Sequence, residues 1–150
     1  MAMISDKAIF IDTNILIYAN VAESPFHESA LRAIEFYYKE GYELWISRQV
    51  LREYLAILTR PNLFTNPKPV SILIDRIRYF ESRFLIAEDS LLVTKKLLNL
   101  IKNISVGGSQ IHDANIVATM LVQGIGVLLT LNVADFQRFS DHISIETLGN

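Results

Sequence analysis

No cysteine occurs in this 150-residue chain, which excludes disulfides and thiolate metal sites. Histidine is scarce too, and three scattered copies do not make a zinc site. No apolar run approaches the roughly 20 residues that a membrane helix requires. No charged-then-apolar leader with a small-residue cleavage site is visible. Cytoplasmic location is the expectation that these missing signals leave. Surplus charge is also missing: 14 Lys and Arg face 16 Asp and Glu, a net −2. A protein that coats nucleic acid in bulk is usually basic. The balance disfavours that class and leaves room for an enzyme with a small acidic site and a local basic rim. No internal repeat, low-complexity tract or linker breaks the chain, so residues 1–150 are expected to form one domain. What the chain has in quantity is apolar side chains, 51% of it, enough for a substantial core.

Those apolar residues come in short runs. Ala8-Ile9-Phe10-Ile11 does not alternate with polar residues, which predicts a strand buried on both faces. Asp12-Thr13-Asn14 offers capping side chains before a short helix through Ile15-Leu16-Ile17-Tyr18. Pro25 marks the start of a second helix, with Ala30, Ala33, Ile34 and Tyr37 at helical spacing and an end near Gly41. Leu44-Trp45-Ile46 predicts a strand. Ser47 predicts the N-cap of a helix striped by Val50, Leu51, Tyr54, Leu55 and Leu58 and terminated by Pro61. Residues 62–69, rich in proline and asparagine, predict a loop. A helix with Val70, Leu73, Ile74, Ile77 and Phe80 follows, then a strand Phe84-Leu85-Ile86. The next helix spans about 90–103, with Val93, Leu97, Leu100 and Ile101 on one face. A flexible loop at 105–109 contains Gly107-Gly108, and a helix over 110–123 stops at Gly124. Residues 127–130 predict a strand and Ile143-Ser144-Ile145 an edge strand. Short strands alternating with helices predict an α/β fold with a mainly parallel sheet flanked by helices. In such sheets a site forms outside the carboxyl ends of the strands.

Four carboxylates stand near those ends or at helix starts: Asp12, Glu53, Asp113 and Asp135. Acids gathered in one place repel one another unless a hard cation holds them, which points to Mg2+ or Mn2+ and to phosphate-ester chemistry. Asp12 ends the first buried strand, and by itself reads equally well as a helix cap. Asp113 shares a helix face with Ile116, Val117 and Met120, and a carboxylate on an apolar face needs a partner. Its place in the first turn also suits the helix dipole. Glu53 borders a buried stripe; alone it reads as an ordinary surface glutamate, and only the other acids raise its interest. Asp135 follows Thr130 and Asn132, gathering hydroxyl, amide and carboxylate just after a strand, with a cap for a short helix as the other reading. Thr13 and Asn14 suit capping or support. His112, beside Asp113, suits hydrogen bonding or packing rather than ligation. Gly107-Gly108 matches neither a dinucleotide fingerprint nor a P-loop. Arg48 and Arg52, close to Glu53 in sequence, are tentative contacts to a nucleic-acid backbone.

Four segments resemble, in order and spacing, the motifs of PIN-domain nucleases. They are Phe10-Ile11-Asp12-Thr13-Asn14-Ile15-Leu16, the helix bearing Glu53, Ile111-His112-Asp113-Ala114-Asn115-Ile116-Val117-Ala118, and Leu129-Thr130-Leu131-Asn132-Val133-Ala134-Asp135-Phe136. The likeness is closest to the VapC-like ribonuclease toxins of prokaryotic toxin–antitoxin pairs and runs from Phe10 to about Phe139. It implies an α/β/α sandwich, divalent-metal-dependent RNA cleavage, a cognate antitoxin and a homodimer. Asp12 and Asp113 would be core metal ligands, Glu53 a ligand directly or through water, and Asp135 a ligand or water-positioning acid. Thr13, Thr130 and Asn132 match supporting positions. Some relatives carry an acid where this chain has Asn132, which bears on a second metal. Hydrolysis by a metal-activated water would leave a 5′-phosphate and a 3′-hydroxyl; no histidine pair supports a route through the ribose 2′-hydroxyl.

Other functions fit the same residues less completely. One is a PIN-type nuclease of RNA processing or DNA repair without an antitoxin. Another is a catalytically silent binding module, against which all four acids stand. A haloacid-dehalogenase-like phosphatase needs a second aspartate two residues after the first, where this chain has Asn14. The role of residues 60–84 has no motif to define it.

Overall fold

The computed structural model describes residues 5–61 and 67–149. Five parallel strands form one sheet in the order β3-β2-β1-β4-β5, with β1 Ser5–Ile11, β2 Glu43–Ser47, β3 Leu85–Ala87, β4 Ile125–Leu129 and β5 Ser144–Glu146. Ala8, Ile9, Phe10 and Ile11 are all buried, so both faces of the central strand are covered, as its unbroken apolar run predicts. Seven α-helices flank the sheet among the described residues: α1 Thr13–Asn20, α2 His27–Lys39, α3 Arg48–Leu58, α4 Val70–Arg83, α5 Leu91–Asn103, α6 Gln110–Gln123 and α7 Val133–Phe136. No helix among the described residues is long and apolar enough to cross a membrane.

Local chemistry sets the element ends that matter to function. Asp12 has extended backbone and caps α1 through its side chain. Ser47 caps α3, accepting from the Val50 N–H at 3.3 Å. Gly124 closes α6 in the left-handed region at φ 75, where a Cβ is disfavoured. The sheet is laid out from β1 to β2 and β3 on one side and to β4 and β5 on the other, so the carboxyl ends of β1 and β4 open a crevice at a topological switch point. There the Asp12 N–H donates to the Leu129 carbonyl at 3.0 Å, and the Thr130 N–H to that of Glu146 at 2.9 Å.

Several boundaries differ from expectation. The third strand begins at Leu85 because the Phe84 N–H still donates to the Phe80 carbonyl and closes α4. The fourth strand covers Ile125–Leu129, and Thr130 turns out of it to bond a side chain described below. Helix α4 buries only Leu73 and Phe80 of its apolar stripe; Val70 and Ile74 are exposed. The expected loop at 62–69 falls largely outside the described residues, and 67–69 carry no regular structure. The glycine loop before α6 is stitched down: Gln110 Oε1 accepts from the Gly107 N–H at 3.0 Å and from Arg138 at 2.9 Å. Replacing Gly124 with Ala is expected to lower unfolding free energy by about 1–2 kcal/mol, read from urea midpoints at unchanged slope.

Candidate active site

Asp12 lies where the central strand ends and α1 begins, and it is only 5% exposed. One carboxylate oxygen accepts from the Thr13 N–H at 2.8 Å. The other accepts from the Thr130 hydroxyl at 2.7 Å and from the Asn14 amide at 3.4 Å. Burial nevertheless pushes its pKa up to about 6, against the lowering effect of the Thr130 and Thr13 bonds, with Glu53 and Asp113 adding repulsion. Thr130 is itself fixed, accepting from the Asn132 N–H at 2.9 Å. Asn14 Oδ1 accepts from the Leu131 N–H at 3.3 Å. Asp12 is therefore a helix cap and a strained charge at once.

Glu53 reaches the same place from α3. Its Oε1 accepts from the Thr13 hydroxyl at 2.6 Å and its Oε2 from Gln49 at 3.1 Å. Gln49, one turn earlier and buried, also donates to the His112 carbonyl at 2.9 Å and accepts from Asn115 at 2.8 Å. This tie pins α3 to the first turn of α6, which carries Asp113. Half-buried Asp113 receives no hydrogen bond from the described residues. Its pKa rises to about 6, mainly through burial, then through repulsion by Asp135 and Glu53. Asp135 is exposed on the first turn of α7 and does not line the cleft, though it is near enough to Asp113 to raise its pKa. Asp12, Glu53, Asp113 and Asn132 line one open cleft of about 500 Å3.

Acceptor capacity tests whether these residues fit a cation. An ionised carboxylate offers about four lone-pair sites. Three donors reach Asp12, two reach Glu53 and none among the described residues reaches Asp113. Capacity thus remains on each acid, and all of it is oxygen. Among the described residues, however, no three acidic or histidine side chains converge as a ready-made metal cage. The two facts agree for a small hard cation that keeps several waters and completes its shell with substrate phosphate oxygens, rather than one caged by protein alone.

Comparison with known proteins now decides the family. Residues 9–141 match the family model of the PIN domain. The chain belongs to the PIN-domain family. It is similar to ribonuclease VapC48 of Mycobacterium tuberculosis, 26% identical over 85% of this chain and 89% of that protein. Among solved structures, VapBC2 from Rickettsia felis bound to a promoter DNA fragment aligns with a TM-score of 0.69 at 18% identity, over 95% of this chain and 99% of that one. A toxin–antitoxin complex from Klebsiella pneumoniae aligns with a TM-score of 0.62 at 23% identity, over 85% and 89%. These solved structures share the α/β/α PIN fold.

Within this PIN domain the two arginines expected at the substrate are engaged elsewhere. Arg48 donates to Glu88 at 3.0–3.2 Å and to Glu81, tying α3 to α4 and to the segment after β3. Those bonds, Glu88 first, hold its guanidinium pKa above the usual range. Arg52 stands 3.7 Å from Asp89. Neither lines the cleft, and a phosphate there would have to displace carboxylates already bound to Arg48. The cleft's own cation is Arg60. Sequence reasoning assigned no site role to Gln49, Tyr18, Arg60 or Asn115, although Asn115 lies inside one of the four motifs; Gln49 stands one turn before Glu53 on α3, and Arg60 two residues past the helix end.

The buried charge predicts a measurable conflict between stability and site. The Asp12 contribution favours folding below pH 4 and is lost as pH rises through about 6, because the folded form holds its proton more tightly than the unfolded chain. Asp12→Asn should therefore leave metal-free stability unchanged near pH 4 and raise it at pH 7 by up to about 3 kcal/mol. Denaturant titrations of both proteins across that range test this, and a less stable variant at pH 7 would contradict it.

Proposed function

We propose that this PIN domain is a divalent-metal-dependent endoribonuclease and the toxin of a toxin–antitoxin pair, acting as one unit over residues 1–150. The observation that carries the reading is that Asp12, Glu53 and Asp113, from three separate elements, line one cleft at the carboxyl edge of the sheet. Similarity to a ribonuclease across most of the chain supports RNA as substrate. The all-oxygen donor set suits Mg2+ or Mn2+. Asp12 and Asp113 would hold the ion directly and Glu53 directly or through water. Bound there, it would polarise the scissile phosphate and ease deprotonation of water.

The remaining work falls to the chain. Thr130, Thr13 and Asn14 aim Asp12, and Gln49 and Thr13 aim Glu53. Asn132 lines the cleft and suits a phosphate oxygen. Asp135, near enough to Asp113 to repel its charge, would take the proton of the attacking water. A bond forms from that water oxygen to phosphorus as the P–O3′ bond breaks. The products are a 5′-phosphate and a 3′ oxygen that leaves with a proton.

An antitoxin partner has its own support. An apolar groove of about 400 Å3 runs between α2 and α4, lined by Leu31, Ile34, Tyr38, Tyr79 and Phe84. Its size and character suit an amphipathic helix, and one solved neighbour is a toxin–antitoxin complex. The groove favours this reading over a PIN nuclease that lacks an antitoxin. Leu91 and Leu98, exposed seven residues apart on α5, offer an apolar strip for a second copy.

Purified protein should cut a mixed cellular RNA pool at few sites with Mg2+ or Mn2+, and not with EDTA. Asp113→Asn should reduce the rate by roughly 100-fold or more. Mapping the new ends should find 5′-phosphates; cutting that survives EDTA and the substitution would remove the carboxylate site from the mechanism.

A further inference from the structure

The cleft is lined by more than acids: Ile17, Tyr18, Ala56, Ile57 and Arg60 also face it. On α1, Asn14, Ile17 and Tyr18 stand at i, i+3 and i+4. On α3, Glu53, Ala56 and Ile57 stand at i, i+3 and i+4, and Arg60 follows two residues past the helix end. Each stripe therefore faces one way. Both start polar or acidic and both end on a group suited to nucleic acid: an aromatic ring on α1, a guanidinium after α3. At 1.5 Å per residue along α1, Tyr18 lies about 9 Å in axial rise from Asp12.

Two observations mark this part of the cleft as a built surface. Tyr18 is half-buried and propped from behind: its ring packs on Phe26 at 5.2 Å between centroids, and its carbonyl lies 2.9 Å from Nδ1 of His27, so the turn after α1 is fastened beneath it. Arg60 is exposed, and no carboxylate among the described residues pairs with it, unlike Arg48 and Arg52. An unpaired guanidinium in a cleft holding three carboxylates has a use once an anionic chain lies between them.

We propose that Tyr18 and Arg60 form a nucleotide seat beside the scissile position, Tyr18 stacking on an unpaired base and Arg60 holding the adjoining phosphate of a single-stranded RNA. Aromatic stacking needs a bare base face, which a duplex hides. A planar guanidinium holds a phosphate through two donors. The cleft volume of about 500 Å3 is within the range of small-ligand sites. The seat rests on the nuclease reading for its orientation toward the acids, but its occupancy can be read without cleavage.

The test is rapid mixing, in Mg2+, of the full chain with a short single-stranded RNA carrying 2-aminopurine, whose fluorescence falls on stacking, followed by steady-state kcat and KM. Wild type should quench the probe before any cut. Tyr18→Leu should lose the quenching and raise KM roughly 5- to 100-fold, with kcat little changed; Tyr18→Phe should keep both. Arg60→Gln sits on an exposed residue past the end of α3, so its folding is secure. It should weaken binding with quenching retained and reduce the salt slope of log affinity by about one. Binding of the same sequence as a duplex should not distinguish Tyr18→Leu from wild type. Quenching without metal-dependent cleavage would keep the seat and remove the nuclease reading. Cleavage with KM and quenching indifferent to Tyr18 and Arg60 would remove the seat and keep the nuclease; absence of single-strand binding by wild type would also remove it.

Discussion

The hydrogen bond from Thr130 to Asp12 ties the two strands that flank the switch point and orders what surrounds it. It crosses from the end of β4 to the end of β1 at 2.7 Å, in a place shielded from water. It adds to the Asp12 N–H bond to the Leu129 carbonyl, which already joins the two strand ends at the switch point. With it, a carboxylate is fixed at the head of α1, where the Thr13 N–H also meets it. The arrangement opposes stability, since burial resists the charge more strongly than three donors favour it. An unfavourable charge held where the rest of the fold over-determines it is a mark of a functional site.

From Asp12 the restraint spreads as a continuous chain of bonds. Thr13 follows Asp12 and donates to Glu53; Gln49 donates to Glu53 and accepts from Asn115; Asn115 sits on the helix that carries Asp113. Three helices and the central strand are thus locked to one another through side chains, and no buried side-chain nitrogen or oxygen among the described residues lacks a partner. A fully satisfied buried network of this kind rigidifies its surroundings. Asp113 alone is left without a donor, its charge opposed by burial and by Asp135 and Glu53. Among the described residues the acids do not close a cage, so on the proposed reading water and substrate would supply further ligands.

How far this was legible in the sequence depended on the range of the interaction. The unbroken run Ala8 to Ile11, the Ser47 cap and the Gly124 stop are decided within a few residues, and each stands where local chemistry put it. Asp12 and Asp113 were conspicuous because carboxylates beside apolar faces need a reason. Arg48 was misleading for the opposite cause: its partners Glu81 and Glu88 are 33 and 40 residues away, and nothing near Arg48 announces them. The α4 stripe misled likewise, because apolar spacing signals a face without saying what covers it; Ile74 and Val70 stay exposed. Tyr18 and Arg60 were legible in principle, one at a helical interval from Asn14 and the other just past the end of the Glu53 helix, once those residues were taken as fixed points.

On the proposed function, a net charge of −2 limits how the protein would find RNA. Long-range attraction of a polyanion needs a positive field extending beyond a Debye length, about 8 Å at physiological salt. This chain has no surplus of basic residues to make one, and its three cleft acids repel phosphate until a cation offsets them. On that reading, affinity would come from contacts made after arrival: a cation held by the acids, the Arg60 guanidinium and the Tyr18 ring. Contacts of that kind act only on a strand that fits, so weak general attraction and discrimination among RNAs follow from the same charge distribution. A more basic relative of the same fold would bind more RNAs and, for the same reason, choose less among them.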